Sequence, residues 1–294
     1  MKLTFAYYPW ITQGQGKTQE TIRAAVVGFA SLCGTELGGA ATEVLPPVDV
    51  PLLVNQVATG ECQIALLNPL GYALAKKDGA PITAPLVALR KIDDKLGDFY
   101  ITQLYSQKKT AIARLLQTSL AAKDLTSVLS LVKNYSIGFG KAVSTSNFLV
   151  PAHELWGMGA HPLVAFRRVE FLGGHEEVAV GVYNGTIDIG AGHDGVIVDL
   201  SNKYGFGDAQ DVLVSFYRAR IPSDPVVINT QALNAYPTIL DAIYRAGNTK
   251  EGKAFIAEFW GDAQGLGKID PTRYDVLPAL LGDLGLTKKM VFGW

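Results

Sequence analysis

The stretch Gly138-Phe139-Gly140-Lys141-Ala142-Val143-Ser144-Thr145-Ser146-Asn147-Phe148-Leu149-Val150-Pro151 joins an apolar strand to a helix through a short loop. Ser144, Thr145 and Ser146 stand where that helix opens. The first turn of a helix leaves up to four backbone N–H groups without partners. Together with the positive end of the helix dipole, those donors form a place for an anion. Three hydroxyls there can rotate towards several oxygens of a tetrahedral group. Neutral donors hold an anion without a tight ion pair, which suits a protein that must release it. By itself the segment reads equally well as a helix with Ser144 as an ordinary N-cap.

Working outward, the strand–helix unit recurs on both sides. Leu3–Tyr8, Thr42–Leu45, Cys62–Leu67 and Pro85–Leu89 read as strands. Between them lie helices at Thr18–Leu32 (Ile22, Val26 and Phe29 at helical spacing, Gly34 as the stop), Val50–Thr59 ending at Gly60, and Leu70–Lys77. The alternation predicts a mainly parallel sheet with helices on its faces. Asp98–Ser106 is a long strand of aromatic and β-branched residues, with helices expected at Ala111–Leu120 and Leu125–Leu131. A second series runs through Tyr135–Gly140, Ser146–Trp156, Val169–Leu172, Glu176–Asn184, Ile187–Gly190 and Val196–Lys203. Asp211–Tyr217 and Val226–Ile228 are strands again. After Ala232 the chain reads as helix, broken by a loop at Gly261–Asp270.

Two such units without a low-complexity linker predict an α/β protein of two lobes. Residues 1–100 and 218–294 form the first and 101–217 the second, with crossover strands near 98–106 and 211–218 as the hinge. Ligands of α/β sheets sit beyond the carboxyl ends of strands, so the site is expected in the cleft between the lobes.

Composition narrows the function. The 294 residues are 48% apolar and include 31 glycines, which fits a folded chain larger than one core. A net charge of −1 and a pI near 6.4 lack the basic footprint of a nucleic-acid partner. No apolar run approaches the ~20 residues that span a bilayer, so no direct membrane insertion is expected. Met1–Tyr8 reads as a strand rather than a signal peptide, so the native protein is either cytosolic or has lost a leader. Cys33 lies on the apolar face of the first helix and reads as a buried free thiol, with a disulfide in the first lobe as the alternative.

Several patterns point elsewhere and fail. Gly14-Gln15-Gly16-Lys17-Thr18 lacks the first glycine of a P-loop, because Ile11 stands there. Gly138-Phe139-Gly140 lacks the third glycine of a dinucleotide fingerprint, because Val143 stands there. His153, His161, His175 and His193 have no metal-ligand spacing, and His153 and His161 read as solvated surface residues. Ser144, His175 and Asp194 or Asp224 make a nucleophilic triad only without a serine elbow. No cofactor and no metal are expected.

Ser144–Pro151 (STSNFLVP) is followed by Phe171–Glu176 (FLGGHE), Val182–Gly190 (VYNGTIDIG) and Ile221–Val227 (IPSDPVV), and preceded by Cys62–Tyr72 (CQIALLNPLGY). In this order and spacing the chain resembles, over nearly its whole length, the phosphate/phosphite/phosphonate family of ABC-transporter substrate-binding proteins. The resemblance implies a type II periplasmic-binding-protein fold and an oxyanion in the interlobe cleft. It implies that Ser144, Thr145 and Ser146 hold the anion, that His175 donates a further hydrogen bond and adds charge if protonated, and that Asp224 lies near the ligand. A carboxylate there accepts a hydrogen from a protonated phosphonate or an ammonium group and repels ligands without one. Asp194 is a weaker analogue. Tyr8, Tyr72 and Tyr100 are candidates for the first-lobe wall, although packing accounts for each as well. His175 as a cap and Asp224 as a turn former remain the structural alternatives. Asn147 in place of the family's usual glycine, and Tyr105–Leu125 without the usual Asp-Ser-Gly stretch, depart from the pattern.

The expectation is a monomeric, extracytoplasmic solute-binding protein, not an enzyme, that closes on an oxyanion and meets an ABC-transporter permease or a membrane sensor. A binder of an unrelated small ligand and an enzyme on the same scaffold are the rivals.

Overall fold

The structure, a computed structural model, describes residues 2–9, 18–92, 94–122, 130–261 and 263–293. The expected loop at Gly14–Lys17 and nearly all of the helix expected at Leu125–Leu131 lie outside the described residues.

The chain opens with β1 (Lys2–Tyr7), α1 (Gln19–Glu36), β2 (Ala41–Val44), α2 (Val50–Thr59), β3 (Ile64–Leu66), α3 (Pro69–Lys77), β4 (Ile82–Ile92) and β5 (Lys95–Gly97). It continues through β6 (Phe99–Gln107), α4 (Ala111–Ala122), β7 (Ser136–Phe139), a π turn (Thr145–Leu149) and α5 (Val150–Gly157). Next come β8 (Arg168–Phe171), α6 (His175–Tyr183), β9 (Ile189–His193), α7 (Val196–Lys203), α8 (Ala209–Val212) and β10 (Leu213–Pro222). The last part holds β11 (Pro225–Asn229), α9 (Thr230–Ala235), α10 (Ile239–Asn248), α11 (Lys250–Phe259), β12 (Ala263–Lys268), α12 (Leu277–Asp283) and α13 (Lys288–Phe292).

The described residues form two sheets flanked by helices. One is ordered β12-β4-β11-β3-β1-β2 with β5 on the outer part of β4; the other is ordered β10-β6-β9-β7-β8. The two-lobed α/β architecture therefore holds, but neither sheet is mainly parallel. β1, β2 and β3 pair in parallel, as do β7, β8 and β9. The remaining pairs are antiparallel. Parallel pairing needs a crossover for every strand. The strands that carry the chain between the sheets arrive without one, so β6, β10 and β11 add antiparallel.

Local chemistry sets the boundaries. Thr18 caps α1 in a capping box with Thr21. That helix runs past Gly34, because the positive-φ residues needed to leave it are Gly38 and Gly39. Gly34 is required instead by proximity: a Cβ there would stand 2.4 Å from the Ala40 carbonyl oxygen. Residues 263–268, expected as loop, form β12 on the edge of β4. Gln264, Gly265 and Gly267 carry no strand signal of their own, so pairing with β4 creates the strand. Cys33 and Cys62 are free and buried, and burial pushes the Cys62 thiol up to about 12.

One apolar cluster runs without interruption from Leu53, Leu70 and Tyr72 beside the first sheet to Phe139, Phe148 and Leu155 beside the second. At its C-terminal side His153 on α5 pairs with Asp283 of α12 at 3.0 Å, and His161 Nε2 lies 3.2 Å from the Leu284 carbonyl oxygen. Both histidines are partly buried under the C-terminal segment and are not the solvated residues that their polar neighbours imply.

Candidate functional site

The Ser-Thr-Ser segment opens the second sheet's central helical layer in two steps. Ser144 is the N-cap, its Oγ accepting from Asn147 N at 3.0 Å. The next five residues make a π turn, with Leu149 N donating to Ser144 O and Val150 N to Thr145 O. Pro151 explains the widening. It has no N–H to give to Asn147 O, and Gly140 N takes that carbonyl together with Asn147 Oδ1. A Cβ on Gly140 would stand 2.3 Å from Asn147 Nδ2, so the two residues are matched. The expected single helix from Ser146 to Trp156 is thus a π turn followed by α5.

This turn borders a cavity of about 400 Å³ between the two sheets. Eight of the nine residues singled out in the sequence line it: Tyr8, Tyr100, Ser144, Thr145, Ser146, His175, Asp194 and Asp224. Tyr72 does not. It sits one turn inside α3, buried against Tyr274 with ring centroids 5.2 Å apart, and burial raises its hydroxyl to about 12.

Protonation fixes what several of these groups offer. Tyr100 is enclosed beside Asp224; burial and that charge raise its pKa, and the Ser146 and Thr145 hydroxyls and Arg90 offset this only in part. Its hydroxyl keeps its proton and serves as a donor. His175, at the start of α6 and partly open to the cavity, is held well below the usual histidine range by desolvation and by His193. His193 N donates to His175 Nδ1 at 3.2 Å, which assigns the proton of the neutral ring to Nε2. The positive charge that protonation would bring is therefore absent, and His175 offers one neutral N–H. It does not cap α6: Gly174 holds that position without a side-chain bond.

Asp224 is buried, and its Oδ2 accepts from Arg90 Nη2 at 2.8 Å. Arg90 also donates to Ser223 Oγ at 3.2 Å and to Trp260 O at 3.0 Å, and its guanidinium lies 5.7 Å from the Tyr100 ring centre. On the opposite wall Asp194 meets Arg218 at 3.7 Å, Asp199 pairs with Lys203 at 2.7 Å, and Tyr204 donates to Glu176 Oε1 at 2.8 Å.

Sequence reasoning passed over Asn68, Arg90, His193 and Trp260, all on the cavity wall. Two carried a signal. An asparagine before Pro69 is an N-cap signature, and an arginine inside the apolar run of β4 needs a buried partner. His193 and Trp260 had none, because nothing local marks them as facing a cavity. Among the described residues no group of three or more His, Cys, Asp or Glu side chains could hold a metal, and no helix is long and apolar enough to cross a membrane.

Comparison with solved structures finds the same fold at low identity. XAC2383 from Xanthomonas citri, solved with chloride, superposes with a TM-score of 0.71 at 16% identity, covering 97% of each chain. PhnD1 from Prochlorococcus marinus, solved with methylphosphonate, gives 0.69 at 16% identity over 97% of this chain and 99% of that one. A binding-protein component of an ABC phosphonate transporter from Pseudomonas aeruginosa gives 0.64 at 17% identity over 96% and 86%. A comparison with curated protein sequences gives no match. The family model described as ABC transporter, phosphonate, periplasmic substrate-binding protein matches residues 16–274. With that match spanning most of its length, the chain belongs to the phosphonate-binding family of periplasmic substrate-binding proteins of ABC transporters.

Proposed function

We propose that this protein captures a small tetrahedral oxyanion, a phosphonate, phosphite or phosphate, between its lobes and presents the closed form to a membrane permease. The observation that carries the reading is the convergence of Ser144, Thr145, Ser146, Tyr100 and neutral His175 on one cavity. Arg90 and Lys203, the lysine and arginine side chains among the described residues of its wall, are engaged by Asp224 and Asp199. The anion is then met by neutral donors, which favour binding without blocking release.

Volume refines the ligand. About 400 Å³ lies within the range of pockets for small organic molecules. A water's share of liquid is about 30 Å³, so a lone phosphate leaves most of the space to solvent. An organophosphonate, its substituent directed towards Trp260 and Asp194, fills it better. Asp224, with its charge balanced by Arg90, accepts a hydrogen from a monoprotonated phosphonate or an ammonium substituent. Residues 1–100 and 218–294 act as one lobe and 101–217 as the other, and β6 and β10 flex as the hinge. The protein works as a monomer outside the cytoplasm, without chemical turnover.

Titration calorimetry on ligand-stripped protein tests this with phosphate, phosphite, methylphosphonate, 2-aminoethylphosphonate, sulfate and methanesulfonate. Binding of a phosphorus oxyanion, weakened by Ser146→Ala, is expected. Binding of the sulfur oxyanions alone, or of none of the six, overturns the proposal.

A further inference from the structure

The first turn of α3 has one donor too many for its own lobe. Pro69 has no N–H. Gly71 N donates to Asn68 Oδ1 at 2.8 Å and Tyr72 N to Asn68 O at 3.2 Å. The remaining donor, Leu70 N, crosses between the sheets to Thr145 Oγ1 at 3.1 Å. Asn68 crosses as well: its Nδ2 donates to Val143 O at 2.9 Å. Asn68, Leu70 and Thr145 are buried. Both acceptors therefore belong to the loop that opens onto the oxyanion site, and both donors to one helix end of the facing lobe.

We propose that Asn68 and Thr145 form an interlobe clip that couples occupation of the anion loop to closure, with Asn68 as its positioning residue. This rests on the oxyanion reading above. Thr145 has one hydroxyl hydrogen. With Leu70 N–H bound to its lone pair, that hydrogen faces Tyr100 in the cavity and can turn from the Tyr100 hydroxyl to a ligand oxygen beside it. An N–H···O–H···O⁻ chain polarises each of its bonds, so an anion on the Thr145 hydroxyl strengthens the Leu70 bond across the cleft. In the absence of an anion that reinforcement is missing, and opening of the cleft exchanges the partners of Leu70 N, Asn68 Nδ2 and Val143 O for water. The clip thus favours closure in both states, less when the site is empty and more when it is filled. Asn68 does two jobs with one amide: Oδ1 caps α3, and Nδ2 holds the anion loop.

Asn68→Asp separates those jobs, because aspartate caps a helix as well as asparagine does. It removes the donor and sets a carboxylate against the Val143 carbonyl. Two readouts are needed. Spin labels on exposed Val27→Cys and Val164→Cys report the interlobe distance in ligand-free protein, and buried Cys33 and Cys62 stay unlabelled. Calorimetry with methylphosphonate and with 2-aminoethylphosphonate reports affinity. The expectation for Asn68→Asp is an unchanged melting temperature, a shift of the ligand-free distances to longer values, and affinity lowered about tenfold or more as the closed fraction falls. Thr145→Val should weaken binding while Thr145→Ser keeps it, which tests the clip even if Asn68→Asp folds poorly. Wild-type distances and affinity in Asn68→Asp, or Thr145→Val binding as tightly as Thr145→Ser, overturn the clip. A wild-type protein that binds neither phosphonate, while Asn68→Asp still lengthens the distances, sinks the oxyanion reading and leaves the clip standing.

Discussion

Arg90 and Asp224 form a largely buried ion pair at 2.8 Å in the cavity wall, and Arg90 holds Ser223 Oγ and Trp260 O with its other nitrogens. One guanidinium thus ties β4 to the turn between β10 and β11 and to the end of α11. The junction joins the first sheet's edge of the cavity to the helix that follows it along the wall.

Removing one partner of a buried pair leaves the other charge without compensation, which costs about 3–5 kcal/mol. Arg90→Met deprives three acceptors at once and should reach that range. Asp224→Asn leaves Arg90 with two acceptors and a neutral amide, and should cost less. Urea unfolding of both variants checks the order; equal losses would show that the pair, and not the junction, dominates.

His175 gives the stability a pH dependence of known sign. Its folded pKa is depressed, so between that value and about 6.5 the unfolded chain binds a proton that the folded one refuses. Stability conferred by the neutral ring is complete above about pH 6.5 and declines as pH falls, by at most about 1.4 kcal/mol per unit. Urea midpoints from pH 7.5 to 5 should fall in the wild type and fall less in His175→Gln. Parallel profiles would assign the effect to other groups.

Ser144 and Ser146 separate capping from ligand binding. Ser144→Ala removes the acceptor of Asn147 N and should destabilise the ligand-free protein by about 1 kcal/mol. Ser146→Ala breaks no cap and should leave ligand-free stability almost unchanged while weakening anion binding. Tyr100→Phe, which removes a protonated hydroxyl from the cavity, should behave like Ser146→Ala. Thermal melts with and without methylphosphonate distinguish the two classes.

Gly252, in the first turn of α11, has no room for a side chain: a Cβ would stand 1.8 Å from Ala246 O. Because the obstacle is backbone, Gly252→Ala should lose about 2–3 kcal/mol. Gly157, at the end of α5, meets nothing within 4 Å of the same construction, and Gly157→Ala should be neutral or slightly stabilising. Denaturant midpoints of the two variants give the contrast.

Much of this was legible in the chain. Val50–Thr59 and Val196–Lys203 are helices with the bounds their apolar spacing predicts, because such faces and their stops are local properties. The Ser-Thr-Ser helix start was legible for the same reason, as N-caps are read from adjacent residues. β12 was not, because a glycine-containing segment becomes a strand only when a neighbour supplies the partners. Tyr72 was misplaced because helical spacing fixes its angle relative to Asn68 but not what packs there, and the distant Tyr274 covers it.

The sequence by itself determined the α/β alternation, the Ser-Thr-Ser helix start and the family, since all three are written in local patterns and their order. Only the tertiary structure decided which groups share the cavity and in what charge state. Arg90 lies 134 residues from Asp224, and His193 gives its backbone N–H to a histidine ring 18 residues away that burial above all keeps neutral. Charge compensation and desolvation depend on distance in space and on what excludes water, and neither is a function of position along the chain.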